Sequence, residues 1–499
     1  MFLSVVSNSL NPKLKNIFLP VKKSELVRFI PISLLMFFTL FNQNIIRILK
    51  DSILIAEISA EVVTFTKVYC VTPIAALFII IYAKMVNKFS YKKIYTILSM
   101  VFAGYFIIFS FIIYPNTDIF HLNKDYAYSL MNLYPHLKWY IAILANWSYI
   151  IFYVLGELWP NVFYILLFWQ LANEIFNTEE AKRLYTIISL IGNSALIIVG
   201  YVFSNYGNDL EIIKTYFPST NSNVVLVQIS SIVMVIITAL NVNIVKFLDK
   251  KCLYKHEMLQ KKTGIKPKAS LIESFKYIVS SKYLWLILIC SASFALSMNL
   301  IESVWKAKIK ELHSTVNAYA SFQGSYILWT GVAILIFTII GNSVMRCLGW
   351  FSTAIITPIV IITTGVIFFI FVVFEDKTYG CLNNLYFATP LAFAVFMGAV
   401  QNVFAKGTKY SLWDTSREML YIPLDEELKT KGKATVDLIS SKIGKSASSL
   451  IQSIAFTLVP TLTYTAISPY LMAIFFIVSV VWILAIIGIN KEYQRIVEK

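Results

Sequence analysis

A small set of charges lies inside, or at the ends of, long apolar runs. Glu157 sits in the middle of YIIFYVLGELWPNVFYILLFW, and Asn44, Arg47 and Lys50 lie together in NQNIIRILKDSIL. Glu302 ends SASFALSMNLIE, and Lys442 and Lys445 open SKIGKSASSLIQSIAF. An ionised side chain at the centre of a bilayer costs roughly 2.5–3.5 kcal/mol on insertion scales and more by simulation. Such groups persist where they face a partner or a water-filled path. Their chemistry is that of binding and moving an ion, so they mark a candidate transport route.

On a helix Asn44, Arg47 and Asp51 share one face at i, i+3 and i+7, with Lys50 three residues from Arg47. Two cations and two or three amides so placed suit a polyanion; the plain alternative is that Arg47 and Lys50 snorkel to the interface. Glu157 has no short reach to either interface and must be neutral, paired or hydrated, a structural ion pair being the alternative to a transport role. Glu302, followed by Lys306, Lys308 and Lys310, reads by itself as an ordinary interfacial carboxylate. Lys442, Lys445, Ser446, Ser449 and Ser453 follow i, i+3, i+4, i+7 and i+11, one polar stripe on an apolar helix, and its two lysines suit an anion. Neither GKS at 444–446 nor GKA at 432–434 is a phosphate-binding loop, because Ile439 and Glu427 stand where its first glycine is required. Most aromatic residues belong to lipid-facing or interfacial belts. Tyr153 and Trp159 beside Glu157, and Trp305 beside Glu302, are candidates to stack a base.

The elements that must position these charges are membrane helices. The chain has 499 residues, 58% of them hydrophobic, and a mean hydropathy of +0.70, which excludes an ordinary soluble domain. Runs of about 20 residues, the length a bilayer core requires, fall at 29–49, 63–83, 94–114, 141–169, 184–204, 224–247, 283–302, 323–344, 350–374, 383–404, 441–464 and 467–489. The expected fold is all-α and integral to the membrane, with twelve transmembrane helices. The fourth run is long enough to tilt or to kink at Pro160. The net charge of +16 concentrates in the two tails and the even-to-odd connections, which places both termini in the cytoplasm. The basic stretch 246–282 follows from that topology and calls for no nucleic acid, with anionic lipid as a possible addition. Expected divisions are a tail at 1–28, a first half at 29–247, a basic linker at 248–282, a second half at 283–489 and a tail at 490–499. The connections 115–140 (external) and 405–440 (cytoplasmic) mix aromatics with charge and are expected to be ordered. The first 28 residues lack the apolar core of an export signal, and the richness in Ile, Lys, Asn, Phe and Tyr suits an AT-rich bacterial genome. Five scattered cysteines and four histidines without shared spacing suggest neither disulfides nor a metal site, and no cofactor is expected.

A direct repeat supports division at the basic linker. ISLIGNSAL at 188–196 is similar to SSKIGKSAS at 440–448, and the same offset sets Lys50 against Glu302. Two parallel six-helix halves resemble the major-facilitator layout, in which substrate binds near the midplane between rocking halves. More specifically, RILKD at 47–51, GELWPN at 156–161, LLFWQLANE at 166–174, EEAKRLY at 179–185, NLIESVWKAKIKEL at 299–312 and the block 401–446 resemble, in this order, the nucleotide (ATP/ADP) translocases of intracellular bacteria and plastids, which are unrelated to mitochondrial carriers. That resemblance implies exchange of a nucleoside triphosphate for a diphosphate across a bacterial inner membrane, without hydrolysis, by a carrier working as a monomer. By motif it implies that two lysines and two glutamates, Lys50, Glu157, Glu302 and Lys445, are required. ATP for ADP is the expected pair. Guanine or pyrimidine nucleotides and proton-coupled import are the other outcomes within the family. From different classes, a membrane enzyme lacks any catalytic constellation here, and a non-transporting membrane protein leaves Glu157 and the Lys442/Lys445 stripe without a purpose.

Overall fold

The computed structural model describes residues 21–216, 221–253, 281–375, 377, 389–424 and 433–497. Every regular element among them is helical. Nine helices long and apolar enough to cross a bilayer come first: α1 (Lys23–Glu57), α2 (Ala60–Lys88), α3 (Tyr91–Phe120), α4 (Trp147–Ile175), α5 (Arg183–Tyr206), α6 (Ser222–Lys251), α7 (Lys282–Leu312), α8 (Val316–Gly341) and α9 (Gly349–Val373). Two less apolar helices follow, α10 (Pro390–Thr408) and α11 (Lys433–Leu458), at the places of the expected tenth and eleventh spans. The last, α12 (Tyr464–Ile496), is again a full apolar span. Helix starts are set by short polar side chains. Ser59, Asn221, Ser281, Thr315 and Thr389 each accept a hydrogen bond from a first-turn N–H, and Pro390 opens α10, where its missing N–H is not needed. Gly349, at φ 74°, makes the sharp turn between α8 and α9 that a Cβ would oppose.

Several helices outrun their apolar cores. α1 passes the expected 29–49 and ends at Glu57, and α7 passes 283–302 and ends at Leu312. The tenth span, expected at 383–404, runs on through Lys409–Trp413 and Asp414–Met419, so residues 405–419 are helix and not connection. Hydropathy windows stop at the first charges, whereas here those charges are matched inside the bundle and the helix has no reason to end. α3 closes on the short helix Thr117–Phe120, the connection after it carries two more, Lys124–Leu133 and Lys138–Ala145, and α4 starts only at Trp147. Pro160 produces widened π-helical turns over Pro160–Phe168, as its missing N–H requires. Most of the basic linker (254–280) and of the N-terminal tail (1–20) lies outside the described residues.

The repeat has a packing meaning. Gly192 of α5 lies against Met36 of α1, and Gly444 of α11 lies against Ala295 and Ala292 of α7, so the matched glycines set equivalent helices together in the two halves. Two further pairs related by the same offset join the halves, α5 on α8 and α2 on α11. A Cβ added to Gly324 would stand 2.6 Å from Phe203 Cβ and from the Ser204 nitrogen, a backbone approach typical of small residues in membranes. Ser321 gives its hydroxyl to the Ser204 carbonyl at 3.0 Å, and Asn317 its amide to Ser222 at 2.8 Å. Thr64 of α2 and Tyr464 of α12 share a hydrogen bond of 2.6 Å, Tyr464 donates to Gln452 of α11 at 2.9 Å, and Lys310 reaches the Ile58 carbonyl at 2.5 Å. These contacts gather at the end of the bundle away from the chain termini. Toward the terminal face, Thr72–Lys88 of α2 buries no residue.

Candidate functional site

Where α1, α4 and α7 converge, five charged side chains form one alternating chain. Glu157 Oε1 accepts from Lys50 Nζ at 2.7 Å, and Lys50 also meets Asp51 Oδ1 at 2.8 Å. Asp51 Oδ2 accepts from Lys306 Nζ at 3.0 Å, and Lys306 lies 3.3 Å from Glu302 Oε1, one helical turn away on α7. The sequence order Lys50-Asp51 makes this possible: neighbours on one helix present opposite charges to different partners. Gly156 provides the room, since a Cβ there would stand 2.8 Å from Lys50 Cδ. The Tyr153 ring lies 4.3 Å from Lys50 Nζ and adds a cation–π contact. Lys50, Asp51 and Lys306 are buried, while the side chains of Glu157 and Glu302 each remain 30% accessible. Burying an ion costs several kcal/mol, which close pairing offsets. The inner three are thus matched on all sides, and the outer two carboxylates stay in reach of water.

Three further cations surround Glu302. Lys306, Lys406, Lys67 and Arg47 all act on its carboxylate electrostatically. Lys67 of α2 donates to Asn299 Oδ1 at 3.2 Å, and Asn299 in turn donates to Ser449 of α11 at 3.2 Å. Lys406 of α10 donates to the Tyr326 hydroxyl and sits 4.9 Å from that ring. Arg47 feels Tyr326, Tyr410, Glu302 and Asp51. All three are half-buried, and among the described residues none has a carboxylate within ion-pair distance. Among the described residues, five cations (Arg47, Lys50, Lys67, Lys306, Lys406) therefore meet three carboxylates (Asp51, Glu157, Glu302). This unequal set can hold an anion of high charge. Among the described residues no group of three His, Cys, Asp or Glu is placed to hold a metal ion.

Three of the four resemblance residues with motif support, Lys50, Glu157 and Glu302, come together here, and Arg47 joins them. Snorkelling is excluded for Lys50, which is 6% exposed and paired inward. Lys50 and Glu302, equivalent positions of the repeat, are not paired with each other; Lys50 pairs with Glu157 and Glu302 with Lys306, and Asp51 joins the two lysines. Asn44 is buried and gives its amide to the Leu40 carbonyl of its own helix at 2.7 Å. Lys442 and Lys445 are carried by α11, and their side chains lie outside the described residues. From the same stripe, Ser449 does reach Asn299, whereas Ser453 bonds back to Leu450. Trp159 is packed against Phe102 and Phe163, and Trp305 donates to the Val395 carbonyl at 2.9 Å; both are buried and neither is free to stack a base.

The family profile described as TLC ATP/ADP transporter matches residues 6–493. The chain belongs to this family. It is 55% identical to ADP,ATP carrier protein 5 of Rickettsia felis over 99% of this chain and all of that protein. It is 40% identical to ADP,ATP carrier protein 3 of Rickettsia typhi over 97% and 98%. Among solved structures it is similar in fold to a bacterial homologue of the iron transporter ferroportin in an inward-facing state (TM-score 0.56, 13% identity, 95% of this chain and 100% of that one). It is also similar to the inward open xylose transporter XylE of E. coli (TM-score 0.51, 12% identity, 93% and 96%). The TLC member is thus a multi-pass transporter of major-facilitator-like fold. Sequence reasoning passed over Asp51, Lys67, Lys306 and Lys406 as parts of its charged centre. The signals were present: Lys306 is four residues after Glu302, Asp51 adjoins Lys50, and Lys67 interrupts the apolar VVTFTKVYCV.

Proposed function

We propose that this chain is an ATP/ADP antiporter of a bacterial inner membrane, working as a monomer with both termini in the cytoplasm. The observation that carries the reading is the unequal charge set at the meeting of the halves, together with the family. An ATP polyphosphate, with nearly four negative charges, replaces hydration with Lys50, Arg47, Lys445 and Lys442 as it enters, with Asn44 supporting α1 beside them. In the empty carrier Glu157 and Glu302 screen the cations, and binding is an exchange of carboxylate for phosphate. An empty centre carries unbalanced charge through the occluded state, whereas a filled one does not, so crossing is favoured only with cargo. With the termini inside, the closed end of the bundle is external and the site opens to the cytoplasm. Opening outward must part Asp51 of α1 from Lys306 of α7, an ion pair that crosses between the halves.

The test is uptake of labelled ATP, GTP, CTP and UTP by proteoliposomes loaded with ADP. Saturable ATP uptake that needs internal ADP supports the reading. Uptake of another nucleotide in preference to ATP, or none at all, overturns it.

A further inference from the structure

We infer that Lys67 and Lys406, together with Arg47, form the seat that receives the substrate's polyphosphate first, and that Lys50, held with Lys306 in the ion-pair chain between the halves, reaches it only when that chain opens. The inference deepens the antiport reading and rests on it for the identity of the substrate. The two sets of cations differ in what satisfies them. Lys50 has two carboxylates at 2.7 and 2.8 Å and an aromatic ring, and Lys306 has two carboxylates at 3.0 and 3.3 Å. A phosphate arriving at either must break a short, buried pair. Among the described residues Lys67 has a neutral hydrogen-bond partner in Asn299 and no carboxylate within ion-pair distance, and Lys406 likewise has Tyr326. Both are half-buried and act electrostatically on Glu302. An ammonium group with neutral partners gains most from an anionic oxygen, since charge-assisted bonds are roughly twice as strong as neutral ones.

Position supports the same division. Lys67 comes from α2 and feels Lys50, Lys306, Glu157 and Glu302; Lys406 comes from α10 and feels Arg47, Glu302 and Tyr410. The two come from opposite halves and both act on Glu302, so an anion that engages both lysines bridges the halves. Both lysines lie at helix irregularities. Lys67 is inside the π-helical stretch Thr66–Val71, and Lys406 precedes another at Lys409–Trp413. Such turns re-aim side chains and recur at functional sites. Asn299 is held by Ser449, so α2, α7 and α11 are tied through one amide beside the seat.

The experiment uses the purified full chain in detergent, with tripolyphosphate as a probe that carries no base, and parallel exchange assays in proteoliposomes. Tripolyphosphate is expected to raise the melting temperature of the wild type. In K67Q and K406Q it is expected to raise it far less, while K67R and K406R keep most of the shift. In exchange, each glutamine variant is expected to raise the ATP concentration for half-maximal uptake about tenfold, equal to about 1.4 kcal/mol, and to weaken ATP more than AMP as a competitor. Each glutamine variant removes a cation without a carboxylate partner and should fold, which its own melting temperature checks; K92Q, in the surface pair with Asp249, is expected to behave as wild type. Unchanged tripolyphosphate shifts in both glutamine variants overturn the seat, as does equal weakening of ATP and AMP. If the wild type exchanges no nucleotide but its tripolyphosphate shift still depends on Lys67 and Lys406, the seat stands and the antiport reading falls.

Discussion

Two charged regions lie a few side chains apart and are built differently. The chain from Glu157 through Lys50, Asp51 and Lys306 to Glu302 alternates in sign, and its inner members are buried. Arg47, Lys67 and Lys406 are of one sign and half-buried, and among the described residues Lys67 and Lys406 bond to neutral groups. The first arrangement is self-sufficient and joins α1 to α7 across the halves. The second is incomplete without an added anion. A carrier needs both, a contact that can be broken during the transition and a place where cargo completes the charge balance. Glu302 belongs to both regions, and it links the presence of cargo to the state of the contact.

The sharpest way to break the comparison is to damage the alternating chain. D51N leaves Lys50 and Lys306 each with one partner fewer. Removing one member of a buried pair costs about 3–5 kcal/mol, so a large fall in melting temperature and loss of exchange are expected. The double variant D51N/K306Q removes both charges of the crossing pair and is expected to recover much of the stability without recovering exchange. If D51N alone melts like the wild type, the chain contributes nothing to the fold. Next in size, E157Q relieves Lys50 of one carboxylate while keeping the hydrogen-bonding shape. Exchange is expected to fall at least tenfold with modest change in melting temperature, because Asp51 still holds Lys50. At the seam itself, G324V inserts a side chain where α5 and α8 touch. It is expected to push the halves apart at the far end, which a cysteine at Ser321 reports as faster labelling by a membrane-impermeant reagent; an unchanged labelling rate contradicts the contact. Smallest is S449A, which takes one hydrogen bond, worth about 0.5–1.5 kcal/mol, from Asn299 beside Lys67. A few-fold rise in the half-saturating ATP concentration with an unchanged maximal rate is expected.

The sequence showed the membrane helices and the odd charges among them, because an apolar run and its interruptions are local properties. The repeat ISLIGNSAL and SSKIGKSAS was readable for the same reason, and its glycines turn out to set α5 on α1 and α11 on α7. What was not readable is partnership. Asp51 and Lys306 are 255 positions apart and meet only because two helices converge. Lys306 looked interfacial because the apolar run stops at Glu302, yet α7 continues to Leu312. Lys406 looked like part of a connection, since the tenth apolar run gives out just before it, yet the helix carries on through Trp413. Of the three aromatics expected as possible base-stacking partners, Tyr153 is fully buried against Lys50, and Trp159 and Trp305 are packing residues, because sequence prominence does not say which face of an aromatic side chain is left open.

The central claim is that the cationic centre crosses the membrane readily only when an anionic nucleotide fills it. Efflux of labelled ADP from proteoliposomes, measured with and without unlabelled ATP outside, tests this most directly. Efflux stimulated at least about tenfold by external ATP is the expected result for a barrier lowered by about 1.4 kcal/mol or more. Equal efflux with and without external ATP would show that the empty centre returns as easily as the filled one, and would contradict the account.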